Sequence, residues 1–291
     1  MIDAAWLRAH PLPIPAEDDD KSARGTVQVV GGCAEIPGAV LLAGEGALRA
    51  GAGKLRLASV RSVAPHLAIA VPEALVIALD ETEDGLIAPG AERALLPRLS
   101  RCASLLVGPG MPEDGATALL HALLRHMEPG PGVVIDAGAL GDLAANPDPL
   151  RRHHGRCVIT PHAGEMARLL GMERDAVSAD PLAAARRAAE MLGVVVAMKG
   201  ARTWVVGPEG EALLCTHGHV GLATSGSGDT LGGILAGLLA RGADPVRATA
   251  WAVWLHAEAG HRLARRMGTL GFLARELLAE IPAIMADLSA G

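Results

Sequence analysis

Short apolar runs alternate along most of the chain with longer segments in which apolar residues recur at helical spacing. Runs of four to six residues rich in Val, Ile and Leu predict strands, and the Ala- and Leu-rich segments between them predict helices. Several predicted strands are apolar throughout, which is typical of a parallel sheet that is buried on both faces. The predicted strands span residues 27–30, 55–59, 74–79, 104–107, 133–136, 157–160 and 194–198, and the first helix spans residues 38–50.

Two further apolar runs, residues 203–206 and 212–215, flank a Gly-Pro-Glu-Gly turn and predict a β-hairpin. Beyond the hairpin the chain is predicted to be helical almost to its end, with breaks near Gly242 and Gly268. The alternation of strands and helices predicts a three-layer α/β/α sandwich with a mostly parallel central sheet. Because no linker or change of composition interrupts residues 25–291, we predict one domain there, preceded by an N-terminal extension of residues 1–24.

Composition narrows the class of partner. Half of the 291 residues are hydrophobic, the net charge is −6, Tyr is absent and there is one Phe. The basic and aromatic surfaces that bind nucleic acid are therefore missing, and we predict a small-molecule substrate. The four cysteines lack CxxC spacing, which predicts buried, reduced thiols. Because no apolar signal core and no run of the ~20 apolar residues that cross a bilayer is present, we expect a cytoplasmic protein without membrane contact.

A glycine-rich turn before a helix is the most informative segment. Residues 221–229 read Gly-Leu-Ala-Thr-Ser-Gly-Ser-Gly-Asp and lead into an apolar helical run. Small residues let the backbone approach a ligand, and a helix start offers N–H groups and a positive dipole end to an anion. We therefore predict a phosphate site at Gly226, Ser227 and Gly228. Asp229 is a candidate base that accepts a proton from an attacking hydroxyl, although a carboxylate here could also merely stabilise the helix start.

A second candidate segment leaves the strand at residues 157–160 and enters a helix. His162 and Glu165 are three residues apart, so they share a helix face at the carboxyl end of a strand, where open α/β sheets bind ligands. Glu165 could hold Mg²⁺ through water, because this ion keeps several waters and takes few carboxylates. The alternative is that Glu165 only caps the helix, and both interpretations stay open.

Lys199 ends a buried strand in a chain that has only three lysines. A phosphate or ribose contact is plausible there, since Gly200 allows close approach, whereas a lysine that extends to solvent is the alternative. Two glycine turns, Gly31-Gly32 and Gly108-Pro-Gly110, also follow strands, but neither matches a GxGxxG or GxxxxGK[ST] fingerprint.

The order of these segments resembles that of the ADP- or ATP-dependent NAD(P)H-hydrate dehydratases, a branch of the ribokinase-like fold. The resemblance covers residues from about 25 to about 260. That family uses a nucleotide to remove water from nicotinamide cofactors hydrated at C6 of the reduced ring. The segments that carry it are Gly31-Gly32 with Pro37-Gly-Ala39, Thr160-Pro-His-Ala-Gly-Glu165, Lys199-Gly-Ala-Arg-Thr203 and residues 218–229.

The resemblance implies a role for each matched residue. Asp229 would activate the C6 hydroxyl of the S epimer, with ADP (or ATP) as co-substrate, ADP ending as AMP and phosphate, and Mg²⁺ positioned by Glu165. The hydrated nicotinamide would be bound by Ala39, Gly110, His162 and Asp229. The nucleotide would be bound by Lys199, Gly200, Ala201, Arg202, Thr203, Gly226, Ser227 and Gly228.

Three positions depart from the family pattern, and they leave the details of substrate binding undecided. His219 stands where the family usually has Asn, Gly138 where it often has a second Asp, and Pro112 where a further Gly is common. Many relatives carry an epimerase domain in front, for which residues 1–24 are too few, so the resemblance implies that NAD(P)H-hydrate epimerase acts as a partner on a separate chain. We also expect a homo-oligomer.

Two alternative functions stay open. A small-alcohol kinase of the same fold, acting on hydroxyethylthiazole or hydroxymethylpyrimidine, would use the same anion site and base, although Thr160-Pro-His162 and Lys199-Gly-Ala201 look more like the dehydratase. A nucleotide sensor without catalysis is the second, and the presence of Asp229 together with Glu165 speaks against it. The sequence decides neither between ADP and ATP nor between NADH and NADPH hydrates.

Overall fold

The computed structural model describes residues 1–16, 18, 20–113 and 115–289, so parts of the predicted extension and of the predicted domain lie outside the described residues. Its strands are β1 (Thr26–Val30), β2 (Lys54–Val60), β3 (Ala74–Leu79), β4 (Ser104–Val107), β5 (Gly132–Ile135), β6 (Cys157–Ile159), β7 (Val195–Met198), β8 (Thr203–Val206) and β9 (Ala212–Cys215). They form one nine-stranded sheet in the order β3-β2-β1-β4-β5-β6-β7-β8-β9. All pairs from β3 to β7 are parallel, and the hairpin of β8 and β9 adds two antiparallel strands.

Helices cover both faces of this sheet. They are α1 (Ala4–Ala9), α2 (Gly38–Arg49), α3 (Ala64–Ala70), α4 (Glu92–Leu99), α5 (Ala116–His126), α6 (Asp148–Arg151), α7 (Ala163–Leu170), α8 (Arg174–Ala179), α9 (Pro181–Leu192), α10 (Ser227–Ala240), α11 (Pro245–Met267) and α12 (Ala274–Ser289). Short 3₁₀ turns occur at Ala137–Leu140, Leu143–Ala145 and Val220–Leu222.

The predicted three-layer sandwich is confirmed by the burial of alternate strand residues on opposite faces. In β4, Leu106 packs into the core under α2, α3, α10, α11 and α12, whereas Leu105 and Val107 pack into the core under α4 to α9. Two-sided burial explains why the strands are apolar throughout. The predicted hairpin and the helix breaks near Gly242 and Gly268 are also present, and the strand bounds agree within two residues.

Helices α2 and α10 pack with their backbones in close contact. A side chain at Gly233 would overlap the backbone carbonyl of Ala43, and one at Gly237 would overlap the carbonyl of Ala47. Both glycines lie in the interior of α10, where the backbone is helical. Glycine is therefore needed at these positions for space and not for its backbone freedom. The contact places the first turn of α10 beside Asp136, at the carboxyl end of β5.

The first residues of the chain pack against the main core. Ile2 and Leu7 are buried in the core under α11 and α12, and the Ile2 N–H donates to the Leu214 carbonyl of β9 over 2.8 Å. Trp251 donates from Nε1 to the His10 carbonyl, and Arg241 donates to the Pro13 carbonyl, both at 2.8 Å. We call residues 1–13 the N-terminal arm.

The prediction of buried, reduced thiols is confirmed, because all four cysteines are free and buried. Burial raises the pKa of Cys102 to about 11 and that of Cys157 to about 12, so neither thiol is ionised at neutral pH. Within the described ranges, no helix combines the length and the hydropathy that crossing a membrane requires.

The α2–α10 contact predicts opposite effects for two neighbouring glycines. We expect Gly233→Ala to lower the free energy of unfolding by about 2 kcal/mol or more, because the new methyl group overlaps backbone that cannot move aside. Gly232→Ala is the matched control, because its methyl group would lie 3.6 Å from Leu106, an ordinary contact. The higher helix propensity of Ala would raise the free energy of unfolding of this variant by at most about 1 kcal/mol. Urea unfolding of both variants measures the difference, and equal stabilities would contradict the proposed steric limit.

Candidate active site

A cavity of about 810 Å³ opens at the carboxyl ends of the central strands, between the hairpin, α10 and α11. Open α/β sheets bind ligands at this edge. Most of the residues predicted from the sequence meet here. Those that line the cavity are His162, Glu165, Lys199, Gly200, Ala201, Thr203, Ser227, Gly228 and Asp229.

Four predicted residues do not line the cavity. Ala39 is buried, and a side chain at Gly110 would lie 2.8 Å from its methyl group, so these two residues form a neighbouring wall near the ends of β1 and β4. Arg202 is exposed on the turn before β8. Gly226 precedes α10 with φ +84°, a conformation that favours glycine and turns the chain into the helix. Their binding roles remain predictions.

Lys199 places an ammonium group among the carboxylates of the cavity. Its backbone N–H donates to the Pro161 carbonyl, and its Nζ lies 3.1 Å from Asp136 Oδ1 and 3.8 Å from Glu165 Oε2. Burial alone would lower the pKa of Lys199, but the carboxylates of Asp136, Glu165 and Asp229 outweigh burial and raise it. The lysine is therefore charged and faces the carboxylates, not the solvent.

Asp136 is a site residue that the sequence analysis did not identify. It follows β5, is 3% exposed, and accepts hydrogen bonds from Thr160 Oγ1 at 2.7 Å and Lys199 Nζ at 3.1 Å. The register of β5 and β6 explains the contact with Thr160. Ile135 pairs with Ile159, so the residues that follow them, Asp136 and Thr160, lie side by side. An acidic residue at the end of an apolar strand was the available signal.

The Asp229 carboxylate lies in the first turn of α10 and faces the cavity. In the part of the chain that the structure describes, no hydrogen-bond donor contacts this carboxylate. Burial and the charge of Asp136 together raise the pKa of Asp229 to about 6, although the charge of Lys199 opposes them. Asp229 is thus an available proton acceptor near neutral pH.

Glu165 and His162 form a capping box at the start of α7, as the structural alternative predicted. Glu165 Oε2 accepts from the His162 N–H at 2.8 Å, and His162 Nδ1 accepts from the backbone N–H groups of Gly164 and Glu165 at 3.0 and 3.2 Å. The Glu165 carboxylate also faces the cavity and Lys199. Capping and a role toward a ligand are therefore compatible.

Ser227 begins α10 at the predicted anion site, and its side chain has a partner that the sequence did not reveal. Its Oγ lies 2.9 Å from Nε2 of His256 on α11, and both residues are buried and line the cavity. The local sequence around His256 is an ordinary helix, so only the packing of α11 against α10 brings the two together.

Two of the three departures from the family pattern are in contact with each other. A side chain at Gly138 would overlap the backbone carbonyls of Met111 and Pro112, so the turn after β4 excludes a second Asp at position 138. His219, the third, lines the cavity, and its Nδ1 accepts from the Gly221 N–H at 3.1 Å. It therefore shapes the turn that precedes the glycine-rich segment.

The sheet order, the helical layers and the cavity at the strand ends define a ribokinase-like α/β protein. The structure of the ADP/ATP-dependent NAD(P)H-hydrate dehydratase from Bacillus subtilis, co-crystallized with ATP and Mg²⁺, matches with a TM-score of 0.80 at 28% identity, over 97% of this chain and 98% of that one. A family model described as NAD(P)H-hydrate dehydratase matches residues 27–283. The chain belongs to the NAD(P)H-hydrate dehydratase family, so the resemblance seen in the sequence is confirmed.

Curated relatives agree with the family. The chain is 49% identical to the ADP-dependent (S)-NAD(P)H-hydrate dehydratase of Xanthomonas campestris, over 100% of this chain and 97% of that protein. It is 38% identical to the bifunctional NAD(P)H-hydrate repair enzyme of Moorella thermoacetica, over 99% of this chain and 54% of that protein. The chain thus spans about half the length of this bifunctional relative.

The raised pKa of Asp229 predicts a pH-dependent gain of stability in Asp229→Asn. The folded chain holds this proton up to about pH 6, whereas an unfolded Asp releases it near pH 4, so the native state binds more protons in this window and loses stability as the pH rises through it. The variant lacks this loss. Relative to wild type, it should gain roughly 2–3 kcal/mol between about pH 4 and pH 7.

Chemical denaturation at several pH values measures this gain. Asp84→Asn is the control, because Asp84 is exposed and does not line the cavity, and the stability of this variant should follow the wild-type curve. Parallel curves for Asp229→Asn and wild type would mean that the folded structure does not hold the proton.

Proposed function

We propose that this chain dehydrates the S epimer of NAD(P)H hydrate and thereby regenerates NAD(P)H, with ADP converted to AMP and phosphate. The observation that carries the proposal is the Asp229 carboxylate. It has no hydrogen-bond donor among the described residues, has a pKa of about 6, and faces an 810 Å³ cavity from the first turn of a helix. The names of the Xanthomonas and Bacillus relatives support the nucleotide and the substrate.

Asp229 is the better base of the two central aspartates. Asp136 already accepts from Thr160 and Lys199 at Oδ1 and is 3% exposed, so it is less accessible to a substrate hydroxyl than the half-buried Asp229. Asp229 has neither donor and is held partly protonated only by burial and by the charge of Asp136. A base with a pKa near the working pH combines a large ionised fraction with adequate proton affinity.

In the proposed reaction, an Asp229 oxygen accepts the proton of the C6 hydroxyl while the hydroxyl oxygen bonds to the terminal phosphorus of ADP. The bond between that phosphorus and the bridging oxygen breaks, and AMP leaves. The lone pair of the ring nitrogen then expels the phosphate from C6, and loss of a proton from C5 restores the C5–C6 double bond. The oxygen removed from C6 ends in the phosphate, so the atoms balance.

The start of α10 is the proposed site of the transferred phosphoryl group. Ser227 and Gly228 line the cavity there, at the positive end of the helix dipole. The Ser227 N–H donates to the Thr224 carbonyl at 3.3 Å, so the Gly228 N–H is the backbone donor that we propose for the phosphoryl group. Lys199 lies on the same wall, where a side chain at Gly228 would be 3.5 Å from Nζ. These groups would stabilise the charge that develops on the phosphoryl oxygens.

Mg²⁺ fits the charge balance of this site. Three carboxylates, Asp136, Glu165 and Asp229, face one ammonium, and a nucleotide would add further negative charge. Among the described residues, no group of three or more His, Cys, Asp and Glu could hold a metal ion alone. The ion would therefore be held mainly by phosphate oxygens and water, with Glu165 as the outer carboxylate, and it would neutralise charge on the phosphates.

NAD(P)H-hydrate epimerase is the functional partner that we propose, since the reaction above consumes one of the two C6 epimers. The bifunctional name of the Moorella relative supports a link between this dehydration and a second repair activity. The predicted homo-oligomer stays a prediction.

Turnover tests the proposal directly. Wild-type protein with hydrated NADH, ADP and Mg²⁺ should restore reduced-nicotinamide absorbance and release AMP and phosphate in equal amounts. Asp229→Asn should turn over about 10²–10⁴ times more slowly, because it lacks the base, while Asp84→Asn should match wild type. Recovery by the Asn variant at the wild-type rate would exclude Asp229 as the base.

The same assay separates the kinase alternative. A small-alcohol kinase would transfer phosphate from ATP to hydroxyethylthiazole or hydroxymethylpyrimidine and release ADP, without any recovery of the nicotinamide absorbance. That outcome would overturn the dehydratase proposal, although Asp229 would keep its role as base.

Glu165→Gln tests the outer carboxylate. The Gln oxygen can still accept from the His162 N–H, so the cap is kept and the melting temperature should change little. The Mg²⁺ concentration for half-maximal turnover should rise about 10-fold or more, because the charge is lost. Glu276→Gln is the matched control, since Glu276 accepts from the Leu273 N–H in a similar cap away from the cavity lining. An equal Mg²⁺ requirement in both variants would assign Glu165 to capping alone.

A further inference from the structure

The buried side chains of Ser227 and His256 are in contact, and the chemistry described so far uses neither side chain. Ser227 Oγ and His256 Nε2 are 2.9 Å apart, and the two side chains line the cavity from α10 and α11. The Ser227 backbone carbonyl accepts from Thr230 Oγ1 at 2.7 Å, so the first turn of α10 is held from inside the helix as well. The Ser227 hydroxyl therefore has a fixed position two residues before Asp229.

The His256 ring is neutral in this environment. Burial and, to a smaller extent, the charge of Lys199 lower the pKa of His256 to about 4, although a hydrogen bond to the Ser227 backbone opposes them. A neutral imidazole has one N–H group and one lone pair. The contact between Nε2 and Oγ is then a hydrogen bond in one of two directions.

The direction decides what Ser227 can offer to an anion. If the Ser227 hydroxyl donates to His256, its proton is used, and only oxygen lone pairs face the cavity. If Nε2–H donates to Ser227 Oγ, the hydroxyl proton is free to point at a bound phosphoryl oxygen. A phosphoryl group at the start of α10 favours the second direction, because anions are stabilised by donors and repelled by lone pairs.

We propose that His256 is a positioning residue: its Nε2–H donates to Ser227 Oγ and so directs the Ser227 hydroxyl proton to the terminal phosphoryl group of the nucleotide. This inference rests on the proposed function, which places that group at the start of α10. Ser227 touches the phosphoryl group, whereas His256 acts only through Ser227. The hydrogen-bond chain thus runs from α11 through α10 to the reacting phosphate.

Two substitutions of His256 separate the hydrogen bond from the packing. His256→Gln keeps an N–H group near the position of Nε2, and His256→Met fills the space without a donor. We expect His256→Met to lower kcat about 10- to 100-fold and to raise the KM for ADP about 10-fold, and His256→Gln to restore most of both losses. Ser227→Ala should lower kcat at least as much, and the double variant Ser227→Ala with His256→Met should be no slower than Ser227→Ala alone.

Nucleotide binding gives a readout that does not need the hydrated cofactor. Calorimetric titration with ADP and with AMP measures the contribution of the terminal phosphoryl group. In His256→Met and in Ser227→Ala the ratio of ADP to AMP affinity should fall about 10-fold, whereas AMP affinity should not change. His256→Gln should keep the wild-type ratio.

A buried histidine elsewhere provides the matched control. His153 is 1% exposed, and its Nε2 lies 2.9 Å from the Leu124 carbonyl, outside the cavity lining. His153→Met should lower the melting temperature but leave kcat and the ADP-to-AMP ratio at wild-type values.

The outcomes separate this inference from the proposed function. If the wild type turns over and His256→Met has the same kcat and the same ADP-to-AMP affinity ratio, the positioning role is overturned and the dehydratase proposal stays intact. Equal loss of ADP and AMP binding in His256→Met, or a further loss of kcat when His256→Met is added to Ser227→Ala, would assign His256 to folding alone and also overturn it. If wild type binds ADP with the expected ratio but regenerates no NADH, the dehydratase proposal fails, and the affinity ratios of the variants still test His256.

Discussion

Close contact between α2 and α10 fixes the position of the proposed anion site. The backbones meet because Gly233 and Gly237 carry no side chains, and a methyl group at either position would overlap a carbonyl of α2. A helix held that rigidly has a fixed N-terminus, so the N–H groups and Ser227 hydroxyl at its start keep their places beside the carboxyl end of β5. Preorganised donors of this kind need no rearrangement when charge develops on a ligand. Gly233 and Gly237 therefore serve helix packing, whereas Gly226 serves the turn that precedes the helix.

The charges around Lys199 show how the fold keeps a carboxylate reactive. Asp136 accepts from Thr160 and Lys199, and its charge acts on Asp229, whose carboxylate has no hydrogen-bond donor among the described residues and is only partly compensated by the charge of Lys199. The arrangement lowers the stability of the folded chain at neutral pH and in return leaves a carboxylate with high proton affinity in the cavity. Such a conflict between stability and reactivity is common at sites where a charged group must remain available.

Much of the fold could be predicted because two-sided burial leaves a clear pattern of apolar runs, and the hairpin and helix ends carry glycine turns. The candidate residues that could be found were those with unusual local sequence, such as Gly228 and Lys199. Asp136 and His256 could not be assigned in that way, because their importance comes from register between β5 and β6 and from the packing of α11 on α10. The same limit applies to Gly138 and Pro112, which look like two separate departures in the sequence and prove to be one contact.

The N-terminal arm has a consequence for the surface of the molecule. Strand β9 is the last in the sheet, and an unpaired edge can recruit a strand from another chain and start aggregation. The Ile2 N–H occupies the Leu214 carbonyl of this edge, and the arm then continues as α1, which cannot extend the ladder. Its path is fixed by Trp251 and Arg241, which donate to backbone carbonyls of the arm. The first residues of the chain thus occupy one pairing group of this edge strand, independently of the chemistry in the cavity.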